Sequence, residues 1–141
     1  MDRDDIFNLG QYAKITNNII DIIHQRNELA AKIAQLEAAG CIWGNIVEEW
    51  RGENGPYYRL TFYVDKLTGH KPAPRYIKRD KLETVQQQIN NHAKCVELRE
   101  QLKQVDVVLL TIKSRTSNLL HYTKLHAGTM EQLKLSEVSN G

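Results

Sequence analysis

Histidines, cysteines and acids are the side chains through which this chain would do metal or covalent chemistry, so their spacing comes first. The five histidines, His24, His70, His92, His121 and His126, form no HxxxH or HExxH pair. His121 and His126, five positions apart, do not share a helical face. Cys95 follows His92 by three residues and can face it on a helix, but a metal set needs further ligands. Cys95 therefore reads as a small buried thiol on a packing seam. Glu48 and Glu49 are neighbours that point to opposite faces of a strand, which argues against a shared acid and base role. No GxxxxGK(S/T) or GxGxxG loop is present to cradle a phosphate, and "GENG" is a turn without a helix behind it. The expectation is a non-enzyme with no cofactor and no metal.

Binding chemistry is better represented. The stretch "RGENGPYYRLTFYVDKLTGHKPAPRYIKRD", Arg51 to Asp80, holds all three prolines, three of the eight glycines and four of the six tyrosines. From Arg59 to Lys81 seven basic residues stand against Asp65 and Asp80, a local charge of +5 where the whole chain carries +2. Cations interleaved with flat amphipathic rings suit phosphate contact combined with packing on sugars or bases. The candidate phosphate contacts are Arg59, Lys71, Arg75, Lys78 and Arg79, with Tyr57, Tyr63 and Tyr76 as the rings; the partner is DNA or RNA. The competing reading is that exposed Tyr, Thr and Lys serve strand propensity and blunt a sheet edge.

These residues need elements to hold them. Ile15, Ile19, Ile22, Arg26, Leu29, Ile33 and Leu36 recur at steps of four and three, which predicts a seam-forming helix over about residues 12–39, with Thr16, Asn17 or Asn18 as N-cap and Gly40 at its end. "CIWGNIVEEW" alternates as a strand in which Gly44 allows a bulge or close packing, leaving one of Trp43 and Trp50 in the core and the other partly exposed. "YYRLTFYV" is a firmer strand, entered through Asn54, Gly55 and Pro56, and "RYIK" is a short third one. Alternation places Tyr57, Arg59, Thr61 and Tyr63 on a solvent face and Tyr58, Leu60, Phe62 and Val64 against the helices. Asp80 can cap a second helix, with Leu82, Val85, Ile89, Cys95, Leu98, Leu102, Val105, Leu109, Ile112 and Leu119 along its seam. Over about residues 81–120 it spans about 60 Å if unbroken, longer than the first helix; either it breaks and folds back or a second copy covers the surplus, and the absence of proline and glycine from Leu82 to Ala127 favours continuity.

The surplus length suggests a homodimer through Leu98, Leu102, Val105, Leu109 and Ile112, or a protein partner on the same helix. Beyond Leu125, Gly128 stops the helix and residues 126–141 read as a loose tail, with room for one short helical turn around Met130 to Leu135. A chain of 141 residues is the size of one domain, here residues 1–125 with the strands inserted at about 41–79. Its 41% hydrophobic content, with two Phe and two Trp, calls for an aliphatic core. Two cysteines without a CxxC pair, and an acidic start without a targeting pattern, suggest reduced thiols in the cytoplasm, with a disulfide between Cys41 and Cys95 as the alternative. No apolar run approaches the roughly 20 residues that cross a bilayer.

"WGNIVEEW" followed by "NGPYYRLTFYVDKLTGHKPAPRYIKRDKLETVQQQI" resembles small bacterial proteins in which a three-stranded segment with a GPY hairpin and an RYI strand is inserted between two coiled-coil-like helices. Some of them are found near mobile genetic elements. The resemblance covers roughly Cys41 to Val105 and is most specific at Gly55, Pro56 and Tyr57 with Arg75, Tyr76 and Ile77. Some members carry further cysteines before the hairpin, where this chain has Cys41 alone. In topology only, the strands resemble the three-stranded arm-binding domains of phage-type integrases, which implies DNA contact through the sheet face; the long flanking helices depart from that pattern. The expected fold is α+β: a long antiparallel helical hairpin with an inserted three-stranded antiparallel meander. The expected function is a nucleic-acid-binding accessory protein, with a structural or adaptor protein as the alternative.

Overall fold

The computed structural model describes residues 9–139, with side chains through Leu125. The fold is α+β, as the periodicities imply. Helix α1 (Leu9–Ala39) leads into β1 (Gly44–Arg51), β2 (Asn54–Phe62) and β3 (Arg75–Ile77), an antiparallel sheet in the order β1-β2-β3. A 3-10 turn (Arg79–Lys81) then opens α2 (Leu82–Ser139).

On α1 the four-and-three row loses water from Ile19 onward: Leu29 and Ile33 are buried, and Ile19, Ile22, Arg26 and Leu36 are half-buried, while Ile15 at its start is 53% exposed. The helix begins before the anticipated caps. Thr16 turns its hydroxyl back to the Tyr12 carbonyl oxygen at 3.1 Å, the bond a threonine makes inside a helix. Asp80 is likewise no cap. Lys78 holds that position in extended geometry with no side-chain hydrogen bond, while Asp80 sits within the 3-10 turn. At its far end α2 does not stop at Gly128, and residues 126–139, read as a tail, are helical backbone as far as Ser139. One glycine without a positive φ costs a helix about 1 kcal/mol against alanine, too little to end it without a proline or a capping turn.

The chain divides into two compact units, Gln25–Leu102 and Met1–His24 with Lys103–Gly141. Among the described residues every buried side chain belongs to the first unit: Leu29, Ile33, Leu60, Val85, Asn91, Cys95 and Leu98. The core is aliphatic, and Leu60, central on the middle strand, has no exposed surface. In the second unit Ile19, Ile22, Val105, Leu109 and Ile112 are half-buried. Of the residues expected at a dimer seam, Leu98 is only 5% exposed because its own unit covers it, which leaves it little surface to offer another chain.

The reversal from α1 to β1 is clasped by α2. Gly40 takes a φ of 104°, the conformation that ends helices, and its N–H bonds the Leu36 carbonyl oxygen at 3.1 Å. Its own carbonyl oxygen accepts Asn91 Nδ2 at 3.0 Å, and the Ile42 N–H donates to the Gln88 carbonyl oxygen at 3.0 Å. Arg99 pairs with Glu37 nearby.

Candidate functional site

The sheet register divides the predicted contact residues between two surfaces. Opposite Tyr57, Arg59 and Thr61 on β2 lie Glu49, Val47 and Asn45 on β1, and Tyr76 stands across from Arg59 on β3. These share the open face, where Tyr57 is 42% and Tyr76 57% exposed. Tyr63, 50% exposed just beyond the strand, continues it. The other face carries Ile46, Glu48, Tyr58, Leu60, Phe62, Arg75 and Ile77. Ile46, Glu48 and Tyr58 share a cleft with Leu82 and Gln86 at the start of α2, which locates the helix beneath this face.

The hairpin turns at Gly52 and Glu53, two residues earlier than the expected Asn54-Gly55 turn, because Gly52 supplies the positive φ of 62°. Asn54, Gly55 and Pro56 belong to β2 instead. Gly55 and Pro56 together stand opposite the single Trp50, a bulge at the other end of the strand pair from Gly44. Trp50 is 62% and Trp43 45% exposed, so neither is the core tryptophan that alternation suggested. The Trp43 ring lies 5.5 Å from Tyr63 and 6.0 Å from His92, an aromatic cluster on the surface.

Arg51 is the residue that the sequence reading missed. It precedes the turn, outside the basic segment, yet its guanidinium lies 5.6 Å from the Tyr57 ring centre and 5.4 Å from that of Tyr76, and it donates to the Tyr76 hydroxyl oxygen. Only the pairing of Arg51 with Asn54 brings it there; a strand count that starts β2 at Tyr57 leaves it in the turn.

The predicted cations differ in what they can offer a ligand. Arg59 is ion-paired to Glu49 at 2.9 Å, so its charge is matched within the sheet. Arg75 lies on the opposite face of β3 from Tyr76, with its guanidinium 5.7 Å from the Phe62 ring. Arg75, Lys78 and Lys81 line a cleft of about 320 Å³ between β3 and the start of α2, with no acid on its walls. Arg79 lines a second hollow of about 570 Å³ under the hairpin with Tyr57 and Tyr58. Tyr76 borders both, a ring with cations on each side. Lys71 is exposed in the loop before β3 and lines neither.

That loop is organised by Asp65. Its carboxylate accepts the Leu67 N–H at 2.9 Å, its carbonyl oxygen accepts the Gly69 N–H at 2.7 Å, and its N–H donates to the His70 carbonyl oxygen at 2.9 Å. The Leu67 bond is the main cause that holds the Asp65 carboxyl below the ordinary carboxylate value. Among the described residues no group of three or more His, Cys, Asp or Glu is placed to hold a metal ion, and no helix is long and apolar enough to cross a membrane. His126 lies outside the described side chains. No protein-family model, curated protein or solved structure matches the chain.

Proposed function

We propose that the chain is a non-enzymatic nucleic-acid-binding protein whose contact surface is the edge of the sheet at β3 with the adjoining part of its open face. The observation that carries this reading is Tyr76, an exposed ring bordered by Arg51 and Arg79 on one side and by the acid-free cleft of Arg75, Lys78 and Lys81 on the other. Cations at this density attract a polyanion, and a ring fixed among them offers a sugar or base a flat apolar surface. Arg75, Lys78, Lys81 and Arg79 are the phosphate contacts in this account. Tyr57 and Tyr76 are the packing surfaces, and Arg51 sets their orientation. Arg59 holds the sheet through Glu49 and contributes less. Titration of the protein against duplex DNA, single-stranded DNA and RNA at two salt concentrations tests the reading. Binding that weakens steeply with salt, and at least tenfold in the Arg75→Glu, Lys78→Glu double variant, is the expected result. Weak binding that ignores salt contradicts it.

A second reading has its own observation. Val107, Leu110, Leu119, Leu120 and Leu125 on α2 are each more than half exposed, which suits an adaptor that recruits a protein partner or a second copy of the chain. It predicts that Leu110→Glu abolishes recruitment while charge reversal at Arg75 and Lys78 leaves it intact.

A further inference from the structure

Cys41 and Cys95, 54 positions apart, take no part in the surface described above, yet their Sγ atoms lie 3.6 Å from each other. Both thiols are free; Cys95 is fully buried and Cys41 half-buried. Their separation is held by contacts on either side. Cys41 follows Gly40, whose carbonyl oxygen is bonded by Asn91, and precedes Ile42, whose N–H is bonded to Gln88. One turn beyond Cys95 on α2, Arg99 is paired with Glu37. The Cys41 thiol also donates to the Leu36 carbonyl oxygen at 3.5 Å. A disulfide requires a sulfur separation of about 2.05 Å, so closure needs a movement of about 1.5 Å, within the reach of side-chain torsions.

We propose that Cys41 and Cys95 form a redox modification site, oxidised to an intramolecular disulfide by a small-molecule disulfide of the glutathione type. Cys41 is the accessible member and reacts first. Its thiolate attacks one sulfur of the oxidant, the small-molecule S–S bond breaks, and the departing thiolate takes up the proton that Cys41 released. Cys95 then gives up its proton and attacks Sγ of Cys41, and the second small thiol leaves with that proton. Two protein thiols and one small disulfide become one protein disulfide and two small thiols; the protein loses the two electrons and two protons that the oxidant gains. Burial raises the Cys41 thiol above its ordinary pKa, so little thiolate is present at neutral pH and the first step quickens as pH rises. The product ties the end of α1 directly to α2, closing a long loop and stabilising the folded unit.

The test equilibrates the folded protein with oxidised and reduced glutathione at several ratios, alkylates the remaining thiols and measures intact and peptide masses. The expected result is a monomer lighter by two hydrogen atoms, with neither thiol labelled and one cross-linked peptide pair containing Cys41 and Cys95. Closure from the mixed disulfide is expected at least tenfold faster in native buffer than in urea, because the fold supplies the proximity. The proposal is overturned if both thiols remain alkylatable under ratios that oxidise the urea-unfolded chain. It is equally overturned if glutathione stays on Cys41 without closure, or if the only disulfides formed join two chains.

Discussion

At the scale of the residue, two positions are set by their immediate neighbours. A Cβ built on Gly44 would lie 2.5 Å from the Thr61 carbonyl oxygen, a backbone atom that cannot move aside without loosening the β1 and β2 ladder. Gly44→Ala is therefore expected to lower stability by about 2 kcal/mol in urea unfolding; an unchanged midpoint would show that the strands separate freely there. The Asp65 carboxylate ties the stability of its loop to pH through the Leu67 N–H bond. Its folded pKa is depressed, so the contribution of the Leu67 bond is present above the unfolded carboxylate pKa and fades as pH falls through the lower, folded value. The Leu67 amide should accordingly lose its hydrogen-bonded chemical shift in acid at a lower pH than an ordinary aspartate titrates, and Asp65→Ala should remove the transition. Arg51 illustrates a residue whose role no local pattern reveals, since its two ring contacts depend on where the turn falls.

At the scale of the element, what the sequence made legible is what depends on period. The seam of α1, the inward Leu60 and the seam of α2 through Ile112 follow from spacing alone, because burial of an apolar row is a property of the helix or strand that carries it. Boundaries were less legible. Thr16 and Asp80 resemble caps in sequence, but whether such a side chain caps or bonds elsewhere depends on the backbone around it. The bulge opposite Trp50 was hidden for the same reason: pairing across a turn decides it, and Trp50 beside it is 62% exposed. The clasp on Gly40 was not legible either, since Asn91 sits among seam positions that spacing assigns to apolar residues. Asn91 is 5% exposed, donates to Gly40 and accepts Gln87 Nε2 at 3.0 Å. Asn91→Ala leaves the Gly40 carbonyl oxygen without its donor and should cost about 1–2 kcal/mol, read as a lowered midpoint of thermal or urea unfolding. The exposed Arg99 and Glu37 pair is worth well under that, so Arg99→Ala serves as the near-neutral control.

At the scale of the whole molecule, charge is distributed so that a small net value hides a basic edge. The chain carries +2, while the segment from Arg59 to Lys81 carries +5, and folding sorts that segment into a matched pair at Arg59 and Glu49 and an acid-free cleft at Arg75, Lys78 and Lys81. The sequence identified the segment but not this sorting, because neighbours across a sheet edge are far apart along the chain. The helices provide the scaffold: α2 lies beneath one face of the sheet and leaves the other to solvent. The central claim, that this edge meets nucleic acid, is tested most directly by following backbone amide resonances while short single-stranded and duplex oligonucleotides are added. The account predicts shifts concentrated at Tyr57, Arg75, Tyr76, Lys78 and Arg79 that reverse on adding salt. No shifts with any oligonucleotide, or shifts confined to α2 beyond Leu102, would contradict it.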